Sequence, residues 1–159
     1  MFEVNPIGYV QTVRVASEDD YWGGTESRIK LTDAVESEAL VGIEEFSHAE
    51  IIYVFDRVPP EKVVTGARHP RNNQAWPKVG IFAQRGKSRP NRIGSTIVRI
   101  VRREGSELVV AELDAIDGTP VLDIKPVMAE FLPRDLVKQP AWSKELMQNY
   151  WALGMGPVS

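Results

Sequence analysis

Short apolar runs of strand character, each closed by turn-forming residues, recur along this chain and define most of what it can build. Ala49 to Phe55 packs Ile51, Ile52, Tyr53, Val54 and Phe55 into one compact block, the β-branched and aromatic make-up of a buried strand. Ser95 to Arg102 alternates Ile97, Arg99 and Val101 against Val98 and Ile100, and Glu104-Gly105 turns that run into Leu108 to Leu113 as a hairpin. Further strands are expected within Phe2 to Val15, over Val79 to Ala83, and at Val121 to Ile124. The chain is therefore mainly β.

Two short helices are expected beside the strands. Thr32 is placed to cap one from about Ala34 to Leu40, with Glu36 and Glu38 near its start. Leu146, Tyr150 and Leu153 stand four and three apart in a second, Ser143 to Leu153, with Ser143 as cap and Gly154 as stop. Between them, Pro126, Pro133 and Pro140 make Asp123 to Pro140 an irregular connection.

At 159 residues and 43% hydrophobic content the sequence suits one globular domain. It has no cysteine, which excludes disulfides and thiolate metal sites. The opening MFEVNPIGYV lacks the basic start and apolar core of a leader, and no apolar run is long enough to cross a bilayer, so a cytoplasmic location is expected. The net charge of -3 hides an asymmetry: Arg57 to Arg103 holds twelve of the 19 basic residues and one acid, Glu61, of 22. Such a basic middle suits a polyanion such as RNA, unless the charges mix again in space.

Within that middle, residues 79–96 crowd glycines, cations and amides between two apolar runs. Gly80, Gly86 and Gly94 allow close backbone approach, Pro90 fixes the chain, and Arg89 and Asn91 offer directed hydrogen bonds. Gly86-Lys87-Ser88 is no P-loop, because five residues rather than four separate Gly80 from Gly86, and Pro90 forbids the helix that should follow. No Gly-x-Gly-x-x-Gly follows a strand, which argues against a Rossmann site, and His48 and His69 stand 21 residues apart with no partner at ligand spacing, so no metal is expected. A second cluster, Leu113 to Pro126, sets Asp114, Asp117 and Asp123 around Asp-Gly-Thr-Pro turn chemistry. Taken alone it reads as a hairpin turn in which Asp117 bonds its own backbone.

Together the clusters resemble the TrmO family, also called YaeB-like proteins. The likeness rests on Ile7-Gly8-Tyr9-Val10, Gly42 through His48, Ile52 through Phe55, His69-Pro70-Arg71, Val79 through Arg85, Arg89-Pro90-Asn91 with Ile93-Gly94, and Leu113 through Pro126. It implies a small single-domain β-barrel over residues 1–140, with short peripheral helices and a helical extension over 141–159. It also implies a homodimeric methyltransferase that uses S-adenosyl-L-methionine, without metal or membrane, to methylate N6 of threonylcarbamoyl-adenosine beside the tRNA anticodon.

Carried over by motif, cofactor contacts fall on Tyr21, Trp22 and Gly23, on Asp56 and Arg57, on Arg85 and Ser95, and on Asp117, Gly118, Thr119 and Pro120. Asp117, Asp114 and His48 are the candidate acid–base or charge-offsetting groups. Arg71, Lys87, Arg89, Asn91 and Arg92 are the candidate contacts to the tRNA anticodon loop. Trp22 and Trp76 are candidate stacking platforms for a base or adenine. The chain departs from the family pattern at Arg92, where many relatives have proline, and at Asp56, where they have histidine. The alternative class is a non-catalytic barrel that binds S-adenosylmethionine or RNA; a third is a structural module whose basic stretch docks on an acidic protein.

Overall fold

In a computed structural model that describes residues 1–154, six strands close into an antiparallel barrel. In chain order the strands are β1 (Gly8–Gln11), β2 (Glu26–Leu31), β3 (His48–Val54), the short β4 (Ala67–Arg68) and β5 (Val79–Gly80), β6 (Ile93–Glu104), β7 (Glu107–Ala111) and β8 (Pro120–Pro126). Among the described residues a single α-helix, α1 (Ala141–Leu146), follows. Around the barrel the order is β1-β2-β7-β6-β3-β8, while β4 and β5 pair separately. Closure gives every barrel strand two neighbours, and one side chain in two points inward to fill the lumen.

That alternation is readable in β3, where Ala49, Ile51 and Tyr53 are buried and the intervening residues are not. They meet Val10, Ile29, Leu108, Val110 and Val121 in one apolar core. Two bulges bend the wall, one where β3 meets β8 at Ile52/Tyr53 and one where β6 meets β7 at Ile100/Arg102. The β1–β8 seam is short, with only Gly8 opposite Val121 and Tyr9 opposite Pro120. Flanking bonds extend it, from Ile7 N to Val121 O (2.8 Å), Val10 N to Thr119 O (2.9 Å) and Gly118 N to Val10 O (2.8 Å).

The expected hairpin is present as β6 and β7, turning at Gly105 with φ +60°. Several expectations change. Strand β2 was not anticipated, because its inward set includes Ser27 beside Ile29 and Leu31 and so shows little apolar alternation. Ala34 to Leu40 forms only a 3-10 turn at Ser37–Leu40, since seven residues seldom repay helix nucleation. Thr32 does not cap it: its Oγ1 is buried without a partner, and its carbonyl accepts from Val35 N instead. Val79 to Ala83 splits into the two-residue β5 and a 3-10 turn at Ile81–Ala83.

The C-terminal helix is shorter and earlier than its spacing suggested. It spans Ala141–Leu146 after Pro140, and Ser143 Oγ turns back onto the Pro140 carbonyl (2.8 Å). Beyond Met147 the main chain bonds to the 21–23 loop in place of continuing the helix. The last five residues of the expected 141–159 extension lie outside the described residues.

If the lumen is packed as described, Leu108→Ala should cost about 2–5 kcal/mol in chemical denaturation, because Leu108 is fully buried at the barrel centre.

Candidate functional site

Strand directions put three long connections at one mouth of the barrel, while the fourth, residues 32–47 between β2 and β3, lies at the other. Residues 12–25 join β1 to β2, 55–92 join β3 to β6, and 112–119 join β7 to β8, and all three emerge beside Tyr53, Thr96 and Val121. Among the described residues six other than glycine adopt left-handed φ: Tyr21, Arg71, Asn72, Asn91, Arg92 and Glu112. All six belong to these connections. Each such conformation costs on the order of 1–3 kcal/mol and persists where surrounding contacts hold it, commonly at binding sites.

Asp114 anchors the mouth. Tyr53 OH donates to its Oδ1 (3.1 Å), Thr96 Oγ1 donates to the same oxygen, and Tyr150 OH donates to Oδ2. Three hydroxyls from β3, β6 and the C-terminal segment thus satisfy a carboxylate at the top of an apolar core. Burial, and then the Asp114 charge, push both phenols well above their ordinary pKa of 10. Gly94 makes this packing possible, since a Cβ there would stand 2.8 Å from the Tyr53 ring and from Phe55 Cζ. The two rings meet edge to face, 5.3 Å apart between centroids.

Beside it, the Asp117-Gly118-Thr119-Pro120 turn is laced to the β1–β2 connection. Asp117 Oδ1 accepts from Thr12 N (3.1 Å), and Asp117 N donates to Arg14 O (2.7 Å). Its other carboxylate oxygen takes no hydrogen bond among the described residues. Arg57 spans the two loops, donating to Asp117 O (3.1 Å) and Val15 O (3.3 Å), and a Cβ added to the exposed Gly118 would stand 3.8 Å from its guanidinium. Asp56 is exposed at the end of β3. Arg14 lies 3.7 Å above the Trp22 ring and donates to Tyr21 O (2.7 Å), so the indole is buried beneath a cation.

The arginines of the basic middle brace the loops that carry them. Arg85 donates to Ser95 O (2.5 Å), Arg89 to Gln84 O (2.7 Å) and Arg92 to Val58 O (2.7 Å). Arg71 makes a two-pronged ion pair with Asp20 (2.9 and 3.2 Å). Lys87 reaches Ser17 Oγ (2.7 Å), and Asn91 sits exposed at φ +62°. Arg85, Lys87 and Arg57 remain exposed at the mouth; Arg71, Arg89 and Arg92 are half-buried. Arg92 lies at φ +52°, a conformation that proline at this position could not adopt.

The structure therefore brings Asp114, Asp117, Asp56, Arg57, Arg85, Ser95 and the 21–23 loop to one mouth. His48 does not join them. It begins β3, 2.6 Å from Ser47 Oγ, and Tyr53 is five residues on, about 16 Å at strand rise. Trp76 is half-buried and donates from Nε1 to Glu145 Oε2 (2.9 Å), tying the 55–92 connection to α1. Sequence reasoning missed Tyr53, Thr96 and Tyr150, whose partner Asp114 is remote along the chain, and Arg14, which stacks on Trp22 and bonds Tyr21 within its own connection.

Gly94→Ala should displace the Tyr53 ring from Asp114 and cost about 1–3 kcal/mol in thermal unfolding, the usual range for overpacking. In alkaline titration followed by phenolate absorbance, Tyr150→Phe should remove one tyrosine from the portion ionising above pH 10. Because both phenols are raised in the fold, their contribution is complete below the unfolded value near 10 and is lost as pH climbs past it.

Comparison with known proteins agrees with this architecture. A family model described as tRNA-methyltransferase O N-terminal domain matches residues 10–131, which contain the whole barrel wall from Val10 onward and all three connections at the mouth. A probable S-adenosyl-L-methionine-binding protein of Pyrococcus abyssi is 43% identical over 102 residues, 64% of this chain and 53% of that protein. The human tRNA (adenine(37)-N6)-methyltransferase is 38% identical over 111 residues, 70% of this chain and 25% of that protein. The chain thus spans from a quarter to about half of these relatives. The crystal structure of TrmO from Pseudomonas aeruginosa superposes with a TM-score of 0.72 at 26% identity, covering 89% of this chain and 62% of that one. On the family match and this shared barrel, the chain belongs to the tRNA-methyltransferase O N-terminal domain family.

Proposed function

We propose that this chain is the barrel of an S-adenosylmethionine-dependent methyltransferase acting on a tRNA adenosine next to the anticodon, with threonylcarbamoyl-adenosine as the acceptor. The observation that carries the reading is the meeting, at one mouth, of the Asp117 turn with its unpaired carboxylate oxygen, the Asp56-Arg57 strand end and the exposed Arg85 guanidinium. Carboxylates and guanidiniums so placed suit a zwitterionic ligand that also carries a cationic sulfur. The names of the human and Pyrococcus relatives support the same chemistry.

S-adenosylmethionine, once bound, would supply an electrophilic methyl group carried on a sulfonium. The residues of this chain then position and deprotonate. Asp117 offers the free carboxylate oxygen that offsets positive charge or takes the N6 proton, while Arg57 holds its backbone. Asp114 is engaged at both oxygens, which assigns it to holding the mouth together. His48, at the start of β3, stands too far from this mouth to share the proton transfer. Lys87 and Arg85 are the exposed cations best placed for anticodon-loop phosphates, with Arg71, Arg89, Asn91 and Arg92 shaping the loop that presents them.

The active unit proposed is a homodimer. After β8 the segment 127–140 leaves the barrel with Phe131, Leu136 and Val137 exposed at 87%, 100% and 71%, an apolar arm that a second subunit would cover. The binding-module alternative shares the cofactor and differs in turnover.

Calorimetric titration with S-adenosylmethionine should give saturable binding, weakened about tenfold or more in Asp117→Ala through loss of a charged partner. Folded wild-type protein that fails to bind would sink the reading. Methyl transfer to tRNA bearing threonylcarbamoyl-adenosine, and none to tRNA lacking that group, separates the enzyme from the module and fixes the acceptor.

A further inference from the structure

Beyond α1 the chain crosses back to the mouth and lies along the 21–23 loop. Tyr21 N donates to Asn149 O (3.0 Å), Trp22 N to Tyr150 O (2.8 Å) and Gly23 N to Ala152 O (3.1 Å), and Gly23 forms a parallel bridge with Leu153. Contact is so close that a Cβ on Gly23 would stand 2.1 Å from Trp151 O. Within this segment Tyr150 turns inward, its hydroxyl on Asp114 Oδ2 and its ring edge to face with Trp151 at 4.9 Å. The segment lies outside residues 10–131, the stretch that matches the family. It supplies a wall of the mouth that the family match does not account for.

Those bonds also explain a conformation. Tyr21 holds φ +68°, which a free loop would relax. Its amide is fixed by Asn149 and its carbonyl by Arg14, one from each side. Asp114, gripped separately by Tyr53 and Thr96, gives the C-terminal segment an anchor on the barrel itself.

We propose that Tyr150 is a positioning residue for S-adenosylmethionine: its bond to Asp114 fastens the Asn149–Leu153 strap to the barrel, and the strap holds the Tyr21–Gly23 loop in the shape that receives the cofactor. This rests on the reading that the cofactor binds at this mouth. Tyr150 touches none of the reacting atoms; it acts through three main-chain hydrogen bonds. Loosening the strap weakens cofactor capture and leaves the methyl-transfer step, once the site is filled, nearly intact.

The test compares the full chain with Tyr150→Phe and Gly23→Ala. Amide hydrogen exchange at Tyr21, Trp22 and Gly23 should quicken about tenfold in Tyr150→Phe, the scale of one lost hydrogen bond to a charged group, with β3 and β6 amides unchanged. The calorimetric Kd and the KM for S-adenosylmethionine should rise by a similar factor, while kcat at saturating cofactor stays within about twofold. Gly23→Ala, whose added Cβ would stand 2.1 Å from Trp151 O and push on the strap from its other side, should quicken exchange at the same amides; if it fails to fold, Tyr150→Phe alone decides. Equal cofactor binding by wild type and Tyr150→Phe overturns the proposal, as does a fall in kcat at unchanged Kd. Wild-type protein that binds no S-adenosylmethionine fails the underlying reading instead, and takes the proposal with it even if the amide exchange behaves as expected.

Discussion

Asp114 places a negative charge at the lip of an apolar lumen, and that charge is tolerable only because three hydroxyls converge on it. Tyr53 and Thr96 approach from neighbouring strands of the wall, and Tyr150 from the far end of the sequence. The cost of leaving such a carboxylate unpaired is large enough that its partners are held in place as firmly as any apolar contact. The positions of Gly94, the Phe55 ring and the C-terminal strap follow from it. So does the placement of the Asp117 turn, three residues further along the same connection.

What could be read from the sequence depended on how local the cause was. The Ala49 to Phe55 block, the β6–β7 hairpin and the Asp-Gly-Thr-Pro turn declare themselves in a few adjacent residues, and all three are present. Strand β2 hides because Ser27 takes an inward position that an apolar residue usually fills. The spacing of Leu146, Tyr150 and Leu153 imitates a helix face, yet the carbonyls between them serve Tyr21, Trp22 and Gly23, whose identity no local window contains. Likewise the hydroxyls around Asp114 lie 61, 18 and 36 positions away, a meeting that only the closed barrel arranges.

The basic middle illustrates how charge counted along a chain differs from charge offered to a partner. Arg89 and Arg92 each spend a donor on a loop carbonyl, Arg85 spends one on Ser95 O at the start of β6, and Arg71 is matched by Asp20. Guanidinium suits this double duty, since its fork can brace a carbonyl with one nitrogen and face solvent with the others. The loop owes its shape to the same residues that give it its positive field. Electrostatic steering and loop rigidity are therefore difficult to alter separately in this molecule.

The bulge between β3 and β8 has a further meaning for chain length. Ile52 faces Asp123 while Tyr53 faces Val121, so Leu122 is a supernumerary residue in an otherwise regular ladder. Removing it would leave the inward and outward assignments of both strands intact, since the residues on either side already alternate correctly. What would vanish is the extra local twist that a bulge confers. That twist aims β8 toward β1, where only two residue pairs complete the ring. A single surplus leucine thus adds twist to β8 beside its two-pair seam with β1.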